Sequence, residues 1–255
     1  MIPSFEEQVK KSYAYNAQSF QSSRAWQTVR TLYYRNYDRN NTECKIPKII
    51  HQIWLGSPVP NMYKKFMVSW QKFHPTWEYK LWTDVDVDIL SSKAKEIYKT
   101  SVNYGMKSDI LRYTILQKYG GLYIDTDFEC LKPFDDLMGL DFFIGVSYDG
   151  ELVLYNGLIA SIPNHPIINK VLEFPITYSG SKGSKILDAT GAYHFTRCFN
   201  SIVKDTDNII AFPTDFFYPF PNNIRNVECA YDYIKPHSYA LHHWGVSWTK
   251  KRRHV

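Results

Sequence analysis

Paired cysteines and long apolar runs are both missing from this chain. Its four cysteines, Cys44, Cys130, Cys198 and Cys229, lie far apart and form no CxxC pair. That argues against a zinc knuckle, and the absence of any tight spacing argues for reduced thiols over a disulfide framework. No stretch approaches the roughly 20 apolar residues that cross a bilayer. The opening MIPSFEEQVKKSYAYN lacks the apolar centre of a signal peptide. The expectation is a cytoplasmic protein that makes at most a peripheral contact with the inner face of a membrane. Internal repeats and low-complexity linkers are also absent.

Aromatic residues are abundant. Tyr 20, Phe 15 and Trp 7 make up 16% of 255 residues, enough for a core and for a stacking platform under a base or sugar ring. The net charge of +5 suits an anionic ligand or surface. Part of it sits in a basic tail, Lys250 to His254, which suits a solvated end or a weak membrane contact. The basic residues form no long patch with interleaved aromatics, so no nucleic-acid partner is expected.

The pattern divides into an N-terminal helical extension (1–43), a main domain (44–249) and the tail (250–255). Within 4–37, spaced apolar residues suit one or two amphipathic helices. Strands are expected at 48–55, 78–82, 122–124, 142–146, 152–155, 158–161 and 238–243. Helices are expected at 61–73, at 84–98 after a Thr83/Asp84 cap, at 164–173 and at 189–203. One more is expected from a Ser108 cap to Tyr119, stopping at Gly120. The alternation in the first half predicts an α/β fold with a largely parallel sheet.

Ligands of such sheets bind beyond the carboxyl ends of the strands. Trp54 ends the first strand there, and in YGGLYIDTDF the acidic pair Asp125 and Asp127 follows the strand of 122–124. Buried carboxylates need a partner, here a metal ion, a basic group or solvent at a loop mouth. A hard divalent cation supplies one and also grips a diphosphate. Two other acidic motifs fail: Glu129 stands where a phosphatase motif has Thr or Val, and Cys130 where a calcium loop has Gly. In SDILRYTILQKYGG, Asp109 and Arg112 are three apart and share a helix face. They suit either an intrahelical ion pair or a grip on sugar hydroxyls, with Asp109 expected in the first turn. In ALHHWGVSW, alternation along a strand allows at most one of His242 and His243 to face the site.

The blocks IPKIIHQIWLG, LWTD, SDILRYTILQKYGGLYIDTD, NGLIASIPNHP, TGAYHFT and HHWGVSW come in this order. Together they resemble the family-32 glycosyltransferases, which include yeast initiating mannosyltransferases and many bacterial polysaccharide enzymes. They are more distantly similar to the glucosylating clostridial toxins. The likeness spans about Ile46 to Trp248. It implies a GT-A (Rossmann-like) nucleotide-sugar-binding fold, a UDP- or GDP-sugar donor, Mn2+ or Mg2+, and retention of configuration. By resemblance, Trp54 stacks on the base, and Asp109 and Arg112 hold the donor sugar. Asp125 contacts ribose, sugar or metal, and Asp127 is the firm metal ligand. His243 becomes the third ligand, Asn156 lies near the transferred sugar, and Ser247 and Trp248 close over the diphosphate. Many relatives read TGP where this chain has Thr190, Gly191 and Ala192.

The function implied is hexose transfer to a saccharide or lipid-linked saccharide in surface polysaccharide or glycan synthesis. Lys107 is a further candidate cation, and Asp188 a candidate acceptor-side residue. The rival readings are a nucleotide-sugar hydrolase and a non-catalytic saccharide-binding protein.

Overall fold

In the computed structural model, which describes residues 3–10, 17–37, 43–148, 152–173, 183–226 and 229–245, the apolar run after Pro47 becomes strand β1 (Ile49–Ile53). It is followed by β2 (Glu78–Trp82), β3 (Gly121–Ile124), β4 (Phe128–Cys130) and β5 (Phe142–Tyr148). The last three are β6 (Leu152–Ser161), β7 (Ile209–Phe212) and β8 (Ala240–His242). Six strands form one sheet in the order β2-β1-β3-β6-β5-β7. β1 lies parallel to β2 and β3, and β5 parallel to β7, while β6 runs against both its neighbours. The sheet is thus mostly parallel, as expected. β4 and β8 form a separate antiparallel ribbon.

The helices are α1 (Phe5–Lys10), α2 (Ala17–Ser22), α3 (Arg24–Asn36), α4 (Asn61–Phe73), α5 (Ser92–Thr100), α6 (Tyr104–Tyr119), α7 (Pro166–Val171), α8 (Gly183–Ala189) and α9 (Ala192–Ile202). Phe5, Val9, Trp26, Val29 and Leu32 of the N-terminal helices join the same apolar core as the sheet. Asn36 donates from Nδ2 to the Ile209 carbonyl of β7 at 2.9 Å, which ties α3 to that edge.

α7 opens at Pro166 and not at 164, and α9 at Ala192 and not at 189, which ends α8. Two other helices also differ from expectation at their starts. The segment expected as helix at 84–98 opens as a 3-10 turn, Asp84–Ile89, held by a capping box between Thr83 and Asp86. Ser91 then caps α5 by accepting from the Ala94 N–H. α6 begins at Tyr104, not after Ser108, because the Asn103 side chain accepts from the Gly105 and Met106 N–H groups. Asp109 therefore lies in the second turn, where the helix dipole does little for it. Gly120, at φ +64, ends α6 in a conformation that L side chains avoid.

The strands expected at 152–155 and 158–161 are one strand. Ile144 of β5 faces Ile159, but the next residue, Gly145, faces Tyr155, so 156–158 bulge out of the ladder. The carbonyls around the bulge find partners elsewhere. Tyr155 O accepts from the Tyr218 hydroxyl, Asn156 O from Arg112, and Gly157 O from the Asp125 N–H.

Candidate active site

β3 ends at Ile124, and the chain turns at once into β4. This puts Asp125 and Asp127 at the carboxyl end of β3. Asp125 is anchored by its N–H on Gly157 O at 2.8 Å, while its Oδ1 accepts from the Tyr123 hydroxyl at 2.6 Å. Tyr123 and Asp125 are two apart on an extended chain, so the alternation rule could have found this pair.

The β4–β8 ribbon decides which histidine meets the acidic pair. Phe128 is paired with His242, and His242 Nε2 lies 3.1 Å from Asp127 Oδ1. Ligand-type atoms of Asp125, Asp127 and His242 all fall within 4.8 Å of one another. The structure does not bring His243 to this cluster. Its ring turns to the other face of the ribbon, stacks on Phe66 at 4.1 Å and bonds Glu129 Oε2 at 3.0 Å. The cause is the strand alternation between neighbours. The main chain here also serves Asp127: the His243 N–H donates to its carbonyl at 3.0 Å, and the Gly245 N–H to its Oδ2 at 2.6 Å.

Arg112 lies between two carboxylates. Its Nη2 is 3.3 Å from Asp109 Oδ1 and 3.3 Å from Asp125 Oδ1, with the guanidinium 4.5 Å over the Tyr123 ring. The intrahelical pair and the site partner are therefore the same arginine. Asp109 also accepts from Asn156 Nδ2 at 2.8 Å and from Thr190 Oγ1 at 2.8 Å. Tyr113 closes the network, accepting from Asn156 Nδ2 and donating to Thr190 O. The part played by Tyr113 and Thr190 is not visible in the sequence, because it depends on contacts between distant segments.

These contacts set the charges. Burial lifts the Asp109 carboxyl to about 6, against the pull of Arg112, Thr190 and Asn156. Burial also raises Asp125, opposed by Arg112 and reinforced by the charge of Asp127. Burial acts upward on Asp127 too, but His242 and the Gly245 N–H outweigh it and hold that carboxyl below its usual range. Burial works against the charge on Arg112, yet Asp125, Tyr123 and Asp109 keep the guanidinium firmly protonated.

These groups line one cavity of about 350 Å³. Trp54 forms its far wall with Tyr63, ring centroids 5.1 Å apart, and anchors its indole N–H on Ser57 Oγ at 3.2 Å. Gly157 brings β6 close: a Cβ there would sit 2.9 Å from Asp125 Oδ2. Lys107 instead lies over the Tyr98 ring at 4.9 Å, and Asp188 pairs with Arg197 at 3.1 Å in an exposed position. Ser247, Trp248 and the basic tail lie outside the described residues.

Residues 60–143 match the family described as "Glycosyltransferase sugar-binding region containing DXD motif". Over those residues the chain is similar to the DXD glycosyltransferases. The matched segment contains Asp109, Arg112, Asp125 and Asp127 but stops short of Asn156 and His242. The chain is 28% identical over 198 residues to glycosyltransferase L373 of Acanthamoeba polyphaga mimivirus, covering 73% of this chain and 78% of the viral one. It is 33% identical over 132 residues to the mannosyl phosphorylinositol ceramide synthase SUR1 of Saccharomyces cerevisiae, covering 50% of this chain. The match spans only 34% of the yeast protein. Among solved structures, the PaToxG glycosyltransferase superposes with a TM-score of 0.53 at 20% identity, covering 70% of this chain and 79% of that one. The fold is accordingly that of the GT-A glycosyltransferases.

Proposed function

We propose that this glycosyltransferase moves a hexose from a UDP- or GDP-sugar to a hydroxyl of a saccharide or glycolipid, with a divalent cation and with retention of configuration. The observation that carries the reading is the meeting, in one cavity, of the Asp125–Asp127–His242 cluster, the Arg112–Asp109 pair and the Trp54 wall.

The donor set fits a cation of the Mn2+ or Mg2+ type. Three carboxylates line the cavity, Asp109, Asp125 and Asp127, against one guanidinium. That leaves a surplus of negative charge which a divalent ion balances. His242, buried, has no partner at Nδ1, and its Nε2 points at Asp127. Asp125, Asp127 and His242 would hold the ion, which when bound supplies Lewis-acid neutralisation of the diphosphate leaving group.

The chain's own residues do the rest. Trp54, with the Tyr63 ring tilted 43° against it, offers an aromatic face to the base. Asp109 and Asn156, fixed by Thr190, Tyr113 and Arg112, present carboxylate and amide oxygens as acceptors to sugar hydroxyls; both Asn156 Nδ2 hydrogens are already given to Asp109 and Tyr113. Both Asp109 oxygens are already engaged, which suits holding a sugar and not attacking it. Arg112 stays charged beside the place where the phosphate gains negative charge.

The test is a donor screen with Mn2+, Mg2+ or chelator, scoring nucleoside diphosphate release with and without acceptors. The yeast relative's name puts a mannosyl donor and a phosphorylinositol ceramide acceptor first. One donor should be turned over, faster with its acceptor, and lost with chelator or in Asp127→Ala. Normal turnover by Asp127→Ala would refute the cation assignment. Donor cleavage that no acceptor accelerates would favour a hydrolase.

A further inference from the structure

α4 buries Tyr63, Phe66 and Trp70. Its opposite arc carries Lys64, Lys65, Val68 and Lys72, all exposed. At 3.6 residues per turn, Val68 is central on that arc. Lys64 and Lys72 stand four residues to either side, and Lys65 three before it. Val68 is 58% exposed, and Met62 at the start of the helix 60%. The helix, NMYKKFMVSWQKF, holds no acidic residue. Among the described residues, Lys45, Lys48, Lys95 and Lys170 each pair with a carboxylate. Lys64, Lys65 and Lys72 have no such pair there; Lys65 and Lys72 only lean over the rings of Phe66 and Phe73.

We propose that this outer face of α4 docks on an anionic lipid surface. Three uncompensated lysines match the charge of such a surface. Each contributes about a five-fold gain in partitioning near anionic headgroups. Val68 chooses between anionic partners. A polar polyanion leaves its side chain in water, whereas the bilayer interface takes up an apolar tip framed by snorkelling lysines. Tyr63 of the same helix lines the cavity. Docking therefore sets the aromatic wall of the cavity about 10 Å, one helix diameter, from the lipid. The surface deepens the reading of the site as a glycosyltransferase by favouring lipid-linked acceptors. It is nevertheless tested without turnover.

The test is co-sedimentation of the full chain with phosphatidylcholine vesicles, plain or with about 30% phosphatidylserine, at several salt concentrations. The basic residues 250–253 stay in every variant, so only α4 changes. The wild type should prefer the anionic vesicles and lose them as salt rises. Lys64→Glu/Lys65→Glu/Lys72→Glu should bind at least 100-fold more weakly. Val68→Ser should bind several-fold more weakly with the salt dependence unchanged. Thermal melts and nucleotide binding, which these exposed positions should leave unaltered, verify the fold. Equal binding by the triple variant, or equal binding of wild type to both vesicles, overturns the proposal. Val68→Ser binding like wild type would overturn the lipid assignment and leave an acidic macromolecule as the partner.

Discussion

Replacing Asp109 with asparagine should stabilise the protein at neutral pH and inactivate it. Asp109 is only 5% exposed. Burial lifts its carboxyl from the ordinary 3.8 to about 6. Between those values the folded protein keeps a proton that the unfolded chain has released. Stability therefore falls as pH rises through the window and is flat above it. At about 1.4 kcal/mol per pH unit, ionised Asp109 costs about 3 kcal/mol at pH 7. Asparagine has nearly the same shape and carries no charge. Arg112 keeps a carboxylate partner in Asp125, at 3.3 Å. The measurement is urea unfolding of both proteins from pH 4.5 to 7.5, with chelator throughout so that no cation enters. The advantage of the variant should grow by about 2 kcal/mol up to pH 6.5 and then stop growing. Its glycosyl transfer should be lost, because a sugar hydroxyl would meet an amide where it needs a carboxylate. A stability difference that does not change with pH would refute the assignment of that burial cost to Asp109.

Three further substitutions probe the arrangement. His242→Ala should weaken Mn2+ binding, read by calorimetry, at least ten-fold. His243→Ala should change it less while lowering stability by about 1–2 kcal/mol, through loss of the Glu129 bond and the Phe66 stack; the reverse ranking would restore His243 as the ligand. Gly157→Ala would force Asp125 to shift by a few tenths of an ångström, since the new Cβ lies 2.9 Å from its Oδ2. A fall in kcat of about ten-fold should follow, with a modest drop in melting temperature, and an unchanged kcat would show that the carboxylate has slack.

What could be read in advance was what local chemistry decides. Pro47 and Gly56 bound the apolar run of β1, and α4 was expected at 61–73 and forms over Asn61–Phe73. Asp125 and Asp127 were placed at a strand end by the three apolar residues before them. The misses depend on contacts between distant parts of the chain. β4 is three residues long, and only its pairing with β8, over a hundred residues on, makes it a strand. That same pairing sets the phase that puts His242 inward, which the doublet HHW does not reveal by itself. β7, IIAF, has a strand's composition but went unassigned; it is defined by its parallel ladder with β5. Thr190 reaches Asp109 across 81 residues, so no spacing rule finds it. Asn103 in place of Ser108 as the cap of α6 is a different error. Both residue types cap well, and Ser108 stands nearer the visible apolar pattern, while the Asn103 side chain is the one that meets the free N–H groups.

The bulge in β6 bears on any attempt to engineer this protein. β6 joins the β2-β1-β3 half of the sheet to the β5-β7 half, and its ladder with β5 breaks where Asn156 is presented. A designer seeking thermal resistance would start there, deleting the surplus residues so that the strands run in register. That repair would remove the carbonyls that receive Arg112 and the Asp125 N–H together with the amide that reaches Asp109. The most regular version of this sheet is thus one without a catalytic centre, and heat-resistant variants should be sought at the surface and in the N-terminal helices instead.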